Sequence, residues 1–152
     1  DALSATKAAI EEGIVEGGGV ALARLSRCKI TKRWWWFGYY KKFDFDGISF
    51  KTKESELGYK IIMESILAPI QNILINAGKK KNEINKIISK IQKDDLYGFG
   101  YNIVTDKMID NMIESGIIDP VKVTRTALQN ASSASATLLT TDVVIHEEDK
   151  NN

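Results

Sequence analysis

The sequence contains a single cysteine. Cys28 alone excludes an internal disulfide framework and any cysteine-built metal centre, and it reads as a small, partly buried side chain rather than a reactive thiol. Long apolar runs are absent, so no stretch has the length of a membrane span. Neither sign of charge dominates. With 21 basic and 20 acidic residues the net charge is +1, which gives no reason to expect a polyanionic partner. The basic clusters Lys29–Arg33, Lys41–Lys42 and Lys79–Lys81 read as solvated surface. A signal peptide is lacking too. The chain opens on Asp1, without a methionine and already inside a helical pattern, so the expectation is a piece of a longer or processed chain.

What is present is the composition of one soluble globular domain: 152 residues, 43% hydrophobic and 27% charged. The patterning predicts a mainly α, multihelical fold with a few short β-strands, one of them C-terminal. Asp1–Glu12 reads as a helix with a small apolar side, broken by Gly13, and Gly17-Gly18-Gly19 opens a second helix over Val20–Arg27. Glu56–Ala77 is a long helical pattern with a kink or break expected at Pro69 and a stop at Gly78. Asn82–Lys93 is amphipathic, with Ile84, Ile87, Ile88 and Ile91 at i, i+3, i+4 and i+7. Tyr97–Asn102 is turn- and strand-like. Lys107–Glu114 reads as a short helix closed by Gly116. A last helix covers Val121–Leu138 with Ala127, Leu128, Ala131, Ala134 and Leu138 facing inward. Asp142–Glu147 reads as a strand, and residues 147–152 as a disordered tail.

Three features have the chemistry to touch a nucleotide. Glycines at Gly17–Gly19 let a phosphate approach the backbone at a helix start, although the same run also serves as a plain interhelical turn. Neither a preceding strand pattern nor a following Walker A lysine accompanies them. Asn102 has a backbone edge that can read a purine, or it is an exposed turn asparagine. Asp119 can accept from ribose hydroxyls, or cap a helix with Pro120 at its first position.

Between Cys28 and Ser55 the helical pattern fails. Trp34-Trp35-Trp36-Phe37-Gly38-Tyr39-Tyr40 is followed by Lys41-Lys42-Phe43-Asp44-Phe45-Asp46-Gly47. Interleaved basic and aromatic residues suit stacking on nucleic-acid bases or a membrane interface, and the alternation over Phe43–Phe50 suits a short hairpin.

Three separated stretches resemble group I chaperonins. The first is Asp1-Ala-Leu-Ser-Ala-Thr-Lys-Ala-Ala-Ile-Glu-Glu-Gly13 with Glu16-Gly-Gly-Gly-Val-Ala-Leu22. The second is Leu67-Ala-Pro-Ile70 with Asn76-Ala-Gly78. The third is Gly100-Tyr-Asn102 with Asn111-Met-Ile-Glu-Ser-Gly-Ile-Ile-Asp-Pro-Val-Lys-Val-Thr-Arg-Thr-Ala-Leu-Gln-Asn-Ala131. Order and spacing agree from Asp1 to about Val144 outside the aromatic insert. The resemblance implies the C-terminal part of an ATP-binding equatorial domain over residues 1–146, with an atypical insert at about 30–46.

By position, it puts Asp1 on the aspartate that orients or activates the attacking water in ATP hydrolysis. It puts Gly18, within Gly17–Gly19, on the backbone approaching the nucleotide, and Asn102, Ile103 and Val104 on the adenine-reading segment. Ile117 falls on an apolar contact to the base and Asp119 on the ribose-binding carboxylate. Ile103 and Val104 are bulkier than the alanines the family often carries. The implied cofactor is ATP with Mg2+. The family's phosphate loop and magnesium aspartate belong to a preceding half of the domain, so this chain alone is expected not to turn over ATP.

Implied partners are sister subunits in a ring, a co-chaperonin lid and unfolded client proteins, with no nucleic acid and no membrane. Gln71 and Lys80 stand where many relatives have charged ring-to-ring contacts. The run Asn111–Ala131 points to a plastid or cyanobacterial type, hence an organelle interior, plastid-type or mitochondrial, with bacterial cytoplasm as the alternative. The insert reads first as a surface loop or a gene-model artefact. The competing functional reading is a non-catalytic helical binding module whose insert contacts nucleic acid, membrane or client chains.

Overall fold

The computed structural model describes residues 2–26, 29–35, 38–44, 50–94, 96–143 and 145, and for 29–35 and 38–44 it describes the backbone. The expectations for Asp1, for Cys28 and for the tail 147–152 lie outside the described residues.

Helix α1 (Ala2–Glu12) ends where Gly13 takes φ +86°. The next three residues form a strand absent from the sequence reading, β1 (Ile14–Glu16), which leads through the glycine triplet into α2 (Val20–Leu25). A hairpin follows, β2 (Lys29–Trp35) against β3 (Gly38–Asp44), in the register Lys29↔Asp44 to Trp35↔Gly38. It therefore begins ahead of the Phe43–Phe50 alternation; residues 45–49 lie outside the description.

The long pattern after the hairpin is two helices. Helix α3 (Lys53–Ser65) starts three residues earlier than the periodicity indicates, because the Thr52 hydroxyl accepts from the Ser55 N–H at 3.2 Å. Helix α4 (Ala68–Asn76) carries Pro69 in its first turn, where a missing N–H leaves no intrahelical bond unmade. The break expected at Pro69 thus falls at the α3–α4 junction. Gly78 then closes α4: its N–H reaches the Ile75 carbonyl at 2.8 Å, and the Lys79 N–H reaches that of Leu74 at 3.0 Å. Helix α5 (Lys81–Lys93) buries Ile84, Ile87, Ile88 and Ile91, the four residues its period indicates. Glu83 folds back to accept from the Lys80 N–H at 2.9 Å, fixing the helix start.

The helix expected over Lys107–Glu114 does not form. Strand β4 (Gly100–Asn102) instead pairs antiparallel with β5 (Lys107–Ile109). Two local devices override the helical spacing of Met108, Ile109 and Met112. The Asn102 carboxamide oxygen accepts from Val104 and Thr105 at 2.9 and 3.2 Å, and Asp106 turns the chain back at φ +57°. A single turn follows, held by the Asn111 carboxamide oxygen on the Ile113 and Glu114 N–H groups and ended by Gly116.

Strand β6 (Ile118–Pro120) then lies antiparallel on β1, and α6 (Val121–Leu139) begins with Pro120, not Asp119, at its cap position. The C-terminal strand expected from Asp142 is not seen among the described residues: Asp142, Val143 and Ile145 are in none.

The core sits where α2, α4 and α5 meet β4. Val20, Ala23, Ile70, Leu74, the four isoleucines of α5 and Met112 form one buried cluster. Gly100 lets Met112 in, since a Cβ there would stand 1.9 Å from its sulfur. Around α6 the expectation fails: no residue of α6 is fully buried, and Leu138 is 70% exposed. Ile61 is likewise exposed, while Ile66 and Ile84 are buried.

Helix α6 is fastened instead by polar contacts to α1. Arg125 grips Glu12 with two nitrogens, at 2.5 and 3.0 Å, and Lys122 pairs with Glu11. The Arg125 guanidinium holds the Glu12 carboxyl below its ordinary value.

Candidate functional site

The pairing of β1 with β6 brings the glycine triplet to Asp119. Val15 lies opposite Asp119 and Glu16 opposite Ile118. Beyond the strand end the Gly17 N–H continues the ladder to the Ile117 carbonyl at 2.9 Å. A side chain at Gly17 is barred, because its Cβ would sit 3.0–3.1 Å from the backbone of Ile117 and Ile118. Gly19 is barred twice over. It has φ +77°, and its Cβ would stand 2.8 Å from the Ile70 nitrogen. Gly18 differs from both: φ is +63°, but nothing lies within 4 Å of a Cβ built on it. Its outer side is open.

Asp119 is half-buried, and its carboxyl titrates above the ordinary aspartate value. Burial raises it, and the Gly18 N–H that hydrogen-bonds the carboxylate pulls it part of the way back. Gly18, Gly19 and Asp119 face one groove of about 840 Å³ between α3, α4 and α6. Its remaining walls are largely apolar, including Leu22, Ile61, Ile73 and Leu128. A backbone N–H, an open glycine and a partly desolvated carboxylate on the floor of an apolar groove suit a ligand that carries hydroxyls.

The other expected site residues are placed differently. Ile117 is brought to the triplet through its carbonyl, and its side chain packs against the core. Asn102 is half-buried, not exposed, at the end of β4, and its carboxamide oxygen is committed to its own loop, the local role of a turn asparagine. Ile103 packs against the core and Val104 is 92% exposed. None of Asn102, Ile103 or Val104 lines the groove. Among the described residues no group of three His, Cys, Asp or Glu side chains is placed to hold a metal ion, and no helix is long and apolar enough to cross a membrane.

One constellation was missed by the sequence reading. Glu16, 3% exposed, accepts from the Gly98 N–H at 3.0 Å and has Arg24 Nε at 3.4 Å. Arg24 donates in addition to the carbonyls of Asp94, Leu96 and Phe99 at 3.2, 2.6 and 2.7 Å. The available signal was an acidic residue directly before the glycine triplet and an arginine eight positions later, across a strand-to-helix turn. A second cluster, half-buried Lys79 and Tyr101 around exposed Asp106, ties the β4–β5 turn to the end of α4.

Comparison with known proteins bears on what this geometry belongs to. A model of the TCP-1/cpn60 chaperonin family matches residues 1–149. A curated relative, the chaperonin GroEL of Mycoplasmoides gallisepticum, is 42% identical over 148 residues, which is 97% of this chain and 24% of that protein. Among solved structures, that of a group III chaperonin in the open state superposes with a TM-score of 0.63 at 23% identity, over 91% of this chain and 25% of the other. The chain belongs to the TCP-1/cpn60 chaperonin family, and it spans about a quarter of the length of the relatives it matches.

Proposed function

We propose that this chaperonin-family chain is the C-terminal part of an ATP-binding equatorial domain, and that the complete subunit couples ATP binding and hydrolysis to folding of client proteins inside a ring. The observation that carries the reading is the β1–β6 pairing, which sets the open side of Gly18 next to the Asp119 carboxylate on one groove floor. Asp119 would accept from ribose hydroxyls, and Gly18 would let the nucleotide approach the backbone. Asn102, Ile103, Val104 and Ile117 lie outside the groove lining, so in this reading the base would extend past the groove to reach them. With Ile103 in the core and the Asn102 oxygen engaged, base contacts there fall to the backbone and to exposed Val104.

Mg2+ would neutralise phosphate charge during hydrolysis. By the family resemblance, the phosphate and metal half would come from the portion of the subunit preceding Asp1. Asp1 keeps the expected role of orienting the attacking water. Sister subunits, a lid and unfolded clients are the partners this reading brings. The curated relative is bacterial, which favours a bacterial-type cytoplasm; an organelle interior of the kind expected from Asn111–Ala131 is the narrower form of the same proposal.

The test is nucleotide binding by this chain alone and by a subunit that also carries the N-terminal half of the domain. No binding is expected alone, and Mg-ATP binding weakened by Asp119→Ala is expected in the complete subunit. A complete subunit indifferent to ATP overturns the proposal. The binding-module reading has one observation in its favour, the β2–β3 hairpin, whose strands pair with each other and with no other strand among the described residues. Salt-dependent binding of single-stranded RNA that disappears when Trp34–Trp36 are replaced would establish it.

A further inference from the structure

The three stretches that carry the nucleotide reading are joined in a closed circuit of hydrogen bonds. The Gly17 N–H donates to the Ile117 carbonyl at 2.9 Å, and the Ile117 N–H donates to that of Met112 at 2.9 Å. The Met112 N–H donates to the Gly98 carbonyl at 2.8 Å. The Gly98 N–H donates to the Glu16 carboxylate at 3.0 Å, and Glu16 is the covalent neighbour of Gly17. Every link but one is backbone to backbone. The one side chain in the circuit is Glu16.

Arg24 braces the same junction. It spans from the Glu16 carboxylate to three carbonyls of the segment that carries the chain from α5 into β4. We propose that Glu16, braced by Arg24, is a positioning residue that sets the glycine triplet and Asp119 in register with the Tyr101–Val104 segment, so that ribose and base contacts are met by one ligand at once. Glu16 borders the groove, but its carboxylate is buried and committed to the Gly98 N–H and the Arg24 ion pair, so its action on the ligand runs through Gly98.

Burial argues for a specified task. A carboxylate only 3% exposed is retained at an energetic cost unless it is compensated, and here it accepts one hydrogen bond from the Gly98 N–H and is ion-paired with the Arg24 guanidinium, whose Nε lies 3.4 Å away without a hydrogen bond of its own. Gly98 has φ +89°, and a Cβ there would stand 3.0 Å from the Asn111 carboxamide oxygen. That residue is therefore held in place on its other side as well. A displacement of Gly98 travels two residues to Gly100 and β4 in one direction, and through Met112 to Ile117 and Asp119 in the other.

The proposal rests on the nucleotide reading, and its test separates the two. Glu16→Met keeps the side-chain volume and removes the acceptor, while Arg24 retains its three carbonyls. Glu16→Gln keeps a carbonyl acceptor and removes the charge. Amide hydrogen exchange on this chain is expected to show Gly98, Val104 and Thr105 losing protection in Glu16→Met, with Ile88 and Ile91 in α5 unchanged and Glu16→Gln close to the parent. A uniform loss across α5 and β4 would mean a purely structural role and overturn the proposal.

In the complete subunit, Mg-ATP affinity should fall about tenfold in Glu16→Met and stay within about twofold in Glu16→Gln, the difference preorganisation makes. Affinity lowered by Asp119→Ala but untouched by Glu16→Met sinks the positioning role and leaves the nucleotide site standing. Affinity unchanged by both, or no binding at all, removes the site and the positioning role with it. Should Glu16→Met not fold, Glu16→Asp, which withdraws the carboxylate by one methylene, decides by the same exchange and affinity readings.

Discussion

Substituting alanine for each of Gly17, Gly18 and Gly19 separates two causes that adjacent glycines usually confound. At Gly17 the only obstacle is contact, with a Cβ meeting the Ile117–Ile118 backbone at 3.0–3.1 Å; the expected loss is about 1–3 kcal/mol, the range for overpacking. At Gly18 the only obstacle is conformation, with φ +63° and open space beyond, so about 1–2 kcal/mol is expected. At Gly19 both act, and the obstacle is the Ile70 nitrogen at 2.8 Å, part of the first turns of α4 and unable to swing aside. The two terms together predict roughly 2–5 kcal/mol there. Urea denaturation monitored by far-UV circular dichroism reads the three variants on one scale. Gly18→Asn should recover part of the Gly18→Ala loss, because asparagine visits the left-handed region at lower cost. Gly18→Ala as damaging as Gly19→Ala, or Gly19→Ala below about 1 kcal/mol, would refute the close-approach argument. If the open side of Gly18 receives a nucleotide, Gly18→Ala should also weaken ATP binding in the complete subunit by more than its stability loss explains.

Ile91, fully buried at the centre of the core, should lose roughly 2–5 kcal/mol on change to alanine, measured by the same denaturation. Asp119 titrates above its unfolded value, so its contribution to stability is present below the unfolded pKa and is lost as pH rises through the folded one; Asp119→Asn should therefore match or exceed the parent in melting temperature at pH 7 and lose that advantage near pH 3. Glu12 and Asp106 run the other way, held low by Arg125 and by Lys79 with Tyr101, so acid titration followed by fluorescence should show their contributions disappearing as pH falls through their lowered values, and Arg125→Ala should remove the Glu12 part. Replacing residues 28–49 by a short Gly/Ser linker should leave the urea midpoint unchanged, because among the described residues β2 and β3 pair with each other and with no other strand.

Periodicity made α5 legible down to its four buried isoleucines, because an amphipathic helix on a core obeys one rule along its length. The glycine stops at Gly13 and Gly78 were legible for a similar reason: a left-handed backbone is written in one residue. Lys107–Glu114 was misread because Met108, Ile109 and Met112 are compatible with a helix, while the decision was taken upstream by the Asn102 carboxamide and Asp106. Strands β1 and β6 are three residues each, too short to show alternation, and they exist through a pairing between residues about a hundred positions apart. That pairing is what assembles the candidate site. Asp119 and the triplet were singled out individually as chemistry-bearing residues, but their adjacency is a property of the fold. Glu16 and Arg24 were passed over because an acid and a base in a balanced sequence look like solvated surface until burial is known.

On the proposed reading, the failed expectation for α6 and the lack of a phosphate and metal half would share one physical origin. Helix α6 carries the apolar stripe of an interior helix, yet none of its residues is fully buried, and Leu128 and Leu139 line the groove whose floor holds Gly18 and Asp119. Across that groove, α3 presents Ile61 at 56% exposure. Two facing apolar walls left this open are unusual for a finished domain, where such surface is normally covered. The chain spans about a quarter of its relatives' length, and the phosphate and metal chemistry missing from the floor is assigned to what precedes Asp1. If one segment supplies both, covering the walls and completing the floor are a single event. Nucleotide would then bind only as the second half of the core is packed, and apolar residues of the groove wall such as Ile61 would set ATP affinity through assembly.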